Sequence, residues 1–219
     1  MSEILLGVRR FPQPIPHKNA GGDCFACALT AAVNFLFPEK PVAFDDVWNC
    51  FLVQASDGKP LLSNCWPTMY RAICELRSRG YAIEHRRDIV LPVFDVDTWS
   101  HSWWHAEPTH EWACRLEAWL SAGWVALAEM NLDGKGLFNP DGTMNAIDHF
   151  AVLDGQRHYW KKHPTVEGAA SLSHETHVVC SSTRGNGSYW IDTQQLLRKH
   201  GVAGLYLLRR DTISRESKA

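Results

Sequence analysis

The sequence predicts an α+β fold in a single domain, with helices in the first half of the chain and a mostly antiparallel sheet in the second. The chain has 219 residues, 45% of them hydrophobic, which is enough for one sizeable core. Long apolar or amphipathic segments that end at proline or glycine fill the first half. Short β-type segments separated by turn dipeptides follow, and this order is typical of α+β proteins. We divide the domain, 1–219, into a mainly helical half, 1–107, a mainly β half, 108–210, and a polar tail, 211–219.

The first half opens with an extended lead-in, 1–23, that is rich in proline and glycine. A nearly all-apolar segment from Phe25 predicts a helix that stops at Pro38, and its apolar character all round predicts burial on every face. The remaining predicted elements of this half are helices at 44–54 and 67–79 and a short strand at 81–85.

The second half begins with an amphipathic helix, 111–122, whose glycine stop leads directly into a strand. A polar insertion from 155 to about 175 is predicted to interrupt the strands. The other predicted elements are strands at 124–130, 149–153, 177–180, 188–191 and 203–209 and a helix at 193–200.

Composition excludes several classes of function. Charges are balanced, with 22 Lys and Arg against 24 Asp and Glu, so no nucleic-acid partner is implied. No apolar run is long enough to span a membrane, and the first ten residues lack the pattern of a signal peptide. The seven cysteines lie mostly in apolar segments, which predicts buried, reduced thiols and a cytoplasmic protein.

The sharpest local pattern is the segment Gly21-Gly22-Asp23-Cys24-Phe25. Two glycines form a permissive turn, and the cysteine then stands at the start of a buried helix. Free N–H groups and the positive dipole end of a helix favour the thiolate, which is the nucleophilic form of cysteine. We therefore predict that Cys24 is a nucleophile and that its own backbone N–H helps to hold an oxyanion.

This segment resembles the Gly-x-Cys-aromatic-Ala signature around the catalytic cysteine of papain-like peptidases. It is also similar to the Asp-Cys opening of bacterial double-glycine leader peptidases. The order of helix 111–122, strand 124–130 and the segment 148–155, Asp-His-Phe-Ala-Val-Leu-Asp-Gly, resembles the part of those families that carries the catalytic histidine. The resemblance covers roughly 15–40 and 110–210. It implies a papain-like fold in which the nucleophile's helix packs on an antiparallel sheet.

Two histidines compete for the role of general base. The resemblance favours His149, because the helix and strand expected before the base precede it. The alternative is His177 with Asp192 as its partner, although a simpler role for Asp192 is to cap the following helix.

The resemblance leaves the other site residues less defined. The orienting position falls near Ser181, where the families have Asp or Asn, so the imidazole is expected to be oriented by Ser181, by a backbone carbonyl or by Asp192. Asn19 is the candidate for the oxyanion side chain. We expect no cofactor and no metal ion, because the histidines around the insertion, His158, His163 and His174, are best explained as a surface loop.

The predicted function is a cysteine hydrolase that acts on a peptide or protein substrate through a thioester. One alternative is an acyltransferase, amidase or deamidase that uses the same Cys-His pair. Another is a catalytically degenerate papain-like binding protein that uses the aromatic cluster Trp99, Trp103 and Trp104 as its surface. The sequence does not specify an oligomeric state.

Overall fold

The structure is a computed structural model that describes residues 2–9, 23–54, 56, 60–62, 66–89, 106–131, 149–162, 170–179 and 187–212. Within these ranges a seven-stranded sheet is the centre of the fold, and a separate two-stranded sheet follows the second helix. The helices are α1 (Asp23–Leu36), α2 (Phe44–Phe51), α3 (Trp66–Ser78), α4 (Ala106–Ser121) and α5 (Thr193–Gln195). The strands are β1 (Ser2–Leu5), β2 (Leu52–Gln54), β3 (Pro60–Leu62), β4 (Ile83–Ile89), β5 (Val125–Met130), β6 (His149–Lys162), β7 (Ala170–Val179), β8 (Ser188–Asp192) and β9 (Gly204–Arg210).

The strands of the large sheet lie in the order β4-β9-β5-β6-β7-β8, and β1 pairs with residues 155–158 in the middle of β6. Each of these pairings is antiparallel. The predicted α+β class with an antiparallel sheet is therefore confirmed.

Two strands of the predicted helical half belong to this sheet. β1 lies in the segment predicted as an extended lead-in, and it is too short for alternation to reveal it. It forms because Ser2–Leu5 pair with residues 155–158 of β6. β4 pairs along its whole length with β9, so residues 1–107 contribute both helices and sheet.

The predicted polar insertion between 155 and 175 is wrong over most of its length. β6 continues to Lys162 and β7 already begins at Ala170, so the two strands form a long hairpin. Its polar side chains pair across the strands: Glu175 accepts hydrogen bonds from Arg157 at 2.7 Å and from Tyr159 at 3.0 Å. Such cross-strand polar pairs stabilise strands that lack apolar residues, and a hydrophobic pattern does not detect them.

Other element bounds differ from the predictions at helix ends. α2 ends at Phe51, where the chain turns into β2, and α4 begins at Ala106, five residues before the predicted start. The predicted helix 193–200 is a short α5 followed by a π-helical turn, Leu196–His200. This turn ends at Gly201, which has a φ of 58°, a conformation that favours glycine.

Apolar side chains cover the sheet on both faces. The α1-side core joins α1, α2 and α3 to one face of the sheet, including Phe150 and Val152 of β6. The α4-side core joins α4 to the opposite face, including Ala151 and Leu153. The alternation along β6 explains why this strand, buried on both sides, is almost continuously apolar at its start. No helix in the described ranges combines the length and apolar character needed to cross a membrane.

The cysteines in the described ranges are free thiols, as predicted, but two of them are not fully buried, and Cys74 on α3 is half-buried. Cys114 is exposed on α4, whereas its apolar surroundings in the sequence predicted burial. It occupies a polar position of an amphipathic helix whose apolar face is formed by Trp112, Leu116 and Leu120. Cys65 and Cys180 lie outside the described residues.

Candidate active site

Cys24 lies in the first turn of α1 and is only 7% exposed. The helix begins at Asp23, and residues 24–33 are all buried, as the apolar composition predicts. The first four N–H groups of a helix have no partner within it, and together with the helix dipole they favour a negative charge. Cys24 therefore lies at the end of the helix that favours a thiolate.

The start of α1 is docked on the start of β6 by an aromatic pair. The ring centroids of Phe25 and Phe150 are 4.1 Å apart, and Phe25 also lies 6.2 Å from the ring of Tyr206 on β9. Phe25 follows Cys24 in the chain, and Phe150 follows His149. The structure therefore brings together the two chain segments that carry the predicted nucleophile and the predicted base.

His149 is the first residue of β6 and is 3% exposed. Burial lowers the pKa of His149 to about 4, because a charged imidazolium loses its hydration there. At neutral pH the ring is therefore uncharged and has a nitrogen lone pair that can accept a proton. An imidazole with so low a pKa is also a weak base, so a thiol that it deprotonates needs further stabilisation as a thiolate.

The side chains of Cys24 and His149 approach the end of the sheet from different sides. Cys24 belongs to the α1-side core with Phe150, whereas alternation along β6 places His149 on the same face as Ala151. His149 is the first residue of its strand and pairs with Met130, the last residue of β5. Cys24 and His149 can therefore come into contact only beyond the end of β5 and β6, where no strand lies between the two faces.

His177 has a different hydrogen-bond partner from the one that the sequence suggested. Its Nδ1 lies 2.6 Å from Oδ1 of Asp154, whose side chain is fully buried. The other oxygen, Oδ2, accepts a hydrogen bond of 2.7 Å from the backbone N–H of Val8. Asp154 is four residues along β6 from Phe150, which corresponds to about 13 Å of strand. The His177–Asp154 pair therefore lies well along the strand from the start of α1.

Asp192 is a helix cap, and this simpler role is confirmed. Its side chain accepts a hydrogen bond from the backbone N–H of Gln195 at 2.9 Å. In the β7–β8 pairing Asp192 lies opposite Glu175, while His177 lies opposite Trp190.

A charged group that the sequence analysis did not select lies beside Phe25. The hydroxyl of Tyr206 donates a hydrogen bond of 2.5 Å to Oε1 of Glu129, and Arg87 lies 3.7 Å from the other carboxylate oxygen. Glu129 pairs with Phe150 across β5 and β6, so this group is close to the start of α1. The signal was present in the sequence, since Glu129 is the only charged residue in the apolar segment 124–130.

Several predicted site residues lie outside the described residues. These are the predicted oxyanion residue Asn19, the predicted orienting residue Ser181, the glycines before the nucleophile, and the aromatic cluster Trp99, Trp103 and Trp104.

Comparison of the chain with models of protein families and with curated proteins gives no match.

Proposed function

We propose that this chain is a cysteine hydrolase of papain-like fold, in which Cys24 attacks a peptide or isopeptide carbonyl and His149 is the general base. The observation that carries the proposal is the docking of α1 on β6, with Phe25 and Phe150 4.1 Å apart. It gives a thiol at a helix's positive end and a buried, neutral imidazole at the adjacent strand end. This arrangement resembles the papain-like pattern of a nucleophile helix on an antiparallel sheet.

The lowered pKa of His149 suggests the order of proton movements. In the resting protein burial keeps the imidazole of His149 uncharged, so the ring is ready to accept a proton. As sulfur bonds to the carbonyl carbon, its proton moves to the His149 ring, and the backbone N–H of Cys24 binds the developing oxyanion. His149 then gives the proton to the leaving amine as the C–N bond breaks, which leaves a thioester. Water hydrolyses the thioester and regenerates the thiol.

Two residues complete this proposal from the sequence. Ser181 is proposed to orient the imidazole, and Asn19 is proposed to supply a second oxyanion donor. Asp154 is not proposed for the orienting role, because its two oxygens are engaged by His177 and by the backbone of Val8.

Alkylation of the intact protein at neutral pH, followed by peptide mapping, tests the nucleophile. Cys27 and Cys114 are internal controls: Cys27 lies one turn further along α1 and is 0% exposed, whereas Cys114 is exposed. We expect Cys24 to react faster than Cys114 in spite of its burial, and His149→Asn to slow only the reaction of Cys24. Labelling of Cys24 at or below the rate of Cys114 would contradict the proposal.

A second candidate function is a binding protein built on the same fold, and two observations favour it. His149 has a pKa of about 4, and Cys24 is only 7% exposed. An inactive site whose side chains are packed in the core would show the same two properties. The same alkylation experiment separates the two functions, since a packed thiol reacts slowly and does not respond to His149→Asn.

A third possibility, transfer of the acyl group to an acceptor other than water, keeps the same first step. Incubating the protein with an acyl substrate and a small primary amine distinguishes it, because transfer forms an amide whereas hydrolysis forms a free acid.

A further inference from the structure

A cluster of potential metal ligands lies between α4 and the β6–β7 hairpin, away from Cys24. We call it the histidine cluster, and its members are His110, Cys114, Glu117, His158 and His174. His110, Cys114 and Glu117 are spaced by four and three residues, so they share one face of α4. His158 and His174 are directly opposite each other across β6 and β7. Three elements therefore direct their side chains to the same place.

The distances within the cluster are short. Nδ1 of His110 and Nε2 of His174 are 2.8 Å apart, and the rings of His158 and His174 have centroids 5.9 Å apart. Sγ of Cys114 lies 3.7 Å from Nε2 of His110. Oε2 of Glu117 lies 3.8 Å from Nδ1 of His158. Imidazole nitrogens and a thiolate are the ligands that Zn²⁺ prefers, and a carboxylate beside a histidine ring is a common means of orienting it.

We propose that the histidine cluster is a structural zinc site, in which His110, His158, His174 and Cys114 bind the ion and Glu117 orients His158. Four protein ligands and no open position are typical of a structural site. The ion would join α4 to the hairpin beside the α4-side core, to which Trp112 and Leu116 of the same helix belong. This proposal is independent of the proposed hydrolase function.

Zinc binding requires the side chains of the cluster to rearrange. In the described part of the chain no three His, Cys, Asp or Glu side chains are placed so that they could hold a metal ion as they stand. His110 and His174 instead share a hydrogen bond at 2.8 Å. Two nitrogens bound to tetrahedral Zn²⁺ at about 2.0–2.1 Å are about 3.4 Å apart, so these rings need to separate by about 0.6 Å. His110 and Cys114 are exposed, which gives the ion a path from solvent.

The test uses the full chain with Cys24→Ser, so that the proposed nucleophile cannot bind the metal. Calorimetric titration with Zn²⁺ is expected to show one saturable site, and a Zn²⁺ excess is expected to raise Tm. His110→Asn and His174→Asn each remove a ligand, so they should weaken Zn²⁺ binding by at least the ~10–100-fold that loss of a hydrogen-bond partner of a ligand costs. The control is His200→Asn, whose ring contacts the backbone oxygen of Asn131 outside the cluster and which should leave affinity unchanged.

Titration with Co²⁺ gives a second readout that does not depend on stability. A tetrahedral site with a thiolate ligand gives visible cobalt bands and a sulfur-to-cobalt band in the near ultraviolet. Cys114→Ser should remove the near-ultraviolet band and keep the visible ones. Because His110 and Cys114 are exposed, their variants should fold even if His174→Asn does not.

The absence of saturable binding would overturn the proposal. So would equal Zn²⁺ affinity in the His110, His174 and His200 variants, because binding would then involve other residues. Neither result bears on the hydrolase, which is judged by the alkylation of Cys24 in the unmutated chain with a chelator present, so that Cys114, its control, carries no metal ion.

Discussion

His177 and Asp154 form a hydrogen bond of 2.6 Å across β6 and β7, and the same carboxylate accepts a hydrogen bond of 2.7 Å from the backbone N–H of Val8. One buried side chain thus links the N-terminal segment to the central hairpin. The link exists because β6 has an irregularity between Leu153 and Gly155, where Asp154 is an extra residue without a partner position on β7. The pair is therefore part of the scaffold that holds β1 on the sheet.

The first prediction concerns the stability that this link provides. Asp154→Asn removes the negative charge and replaces one of the two carboxylate oxygens with an NH₂ group. Either the His177 ring or the backbone N–H of Val8 then loses its acceptor. We expect a loss of about 2–3 kcal/mol in the free energy of unfolding, measured by urea denaturation. The rate of Cys24 alkylation should stay the same.

Asp192→Asn is the matched control for this change. Asn caps a helix about as well as Asp, so the control should change stability by less than about 0.5 kcal/mol. Equal losses in the two variants would show that Asp154 has no special structural role.

The second prediction concerns the docking of α1 on β6. Phe150→Leu weakens the aromatic contact with Phe25 and should cost about 1–2 kcal/mol of stability. It should also slow alkylation of Cys24, because the start of α1 is less firmly held. A double-mutant cycle with Phe25→Leu should give a coupling free energy of about 0.5–1.5 kcal/mol.

Phe51→Leu is the control for this second prediction. Phe51 also contacts Phe25, with ring centroids 4.6 Å apart, but it lies on α2 and not on the sheet. It should cost similar stability and leave the alkylation rate unchanged. Slower alkylation of Cys24 in both variants would show that general loosening of the core, and not the contact between α1 and β6, changes the rate.

The third prediction concerns pH. Burial lowers the pKa of His149 to about 4 in the folded protein, whereas the unfolded chain has the ordinary value near 6.5. Between pH 4 and pH 6.5 the side chain of residue 149 binds more protons in the unfolded state than in the folded state. The stability that depends on a neutral His149 is therefore fully present above pH 6.5 and is lost as the pH falls towards 4. The expected loss is on the order of 3 kcal/mol, and urea denaturation across this range measures it.

His149→Gln isolates this contribution, because glutamine does not titrate. The variant should show a shallower dependence of stability on pH between 6.5 and 4 than the unmutated protein. Identical slopes would mean that the pKa of His149 is not lowered by folding.

The fourth prediction concerns Gly155, which is crowded by three neighbouring strands. A Cβ at this position would lie 2.8 Å from Cβ of His177 and 3.0 Å from side-chain atoms of Leu5 and Trp190. Gly155→Ala should therefore destabilise the protein by about 1–3 kcal/mol, measured as a shift in the urea midpoint.

Gly123→Ala separates crowding from backbone strain. Gly123 has a φ of 76°, and nothing lies within 4 Å of the added carbon, so its cost of about 1 kcal/mol comes from the backbone alone. A smaller loss at Gly155 than at Gly123 would contradict the close packing of β1, β7 and β8 around β6.

The sequence by itself determined the elements whose signal is local. The all-apolar α1, the position of Cys24 at its start, and strands β5 and β9 follow from hydrophobic pattern and from proline and glycine stops, because these act over a few neighbouring residues. The cap formed by Asp192 is local in the same way.

Only the tertiary structure decided which side chains meet across strands. Asp154 rather than Asp192 reaches His177, and His158 faces His174 in strands that the sequence presents as a polar insertion. Such partnerships depend on strand register and on one extra residue in β6, and a shift of one residue would direct every side chain to the other face. The hydrophobic pattern specifies which face of a strand is buried, but the polar partners on that strand are selected by the pairing of the whole sheet.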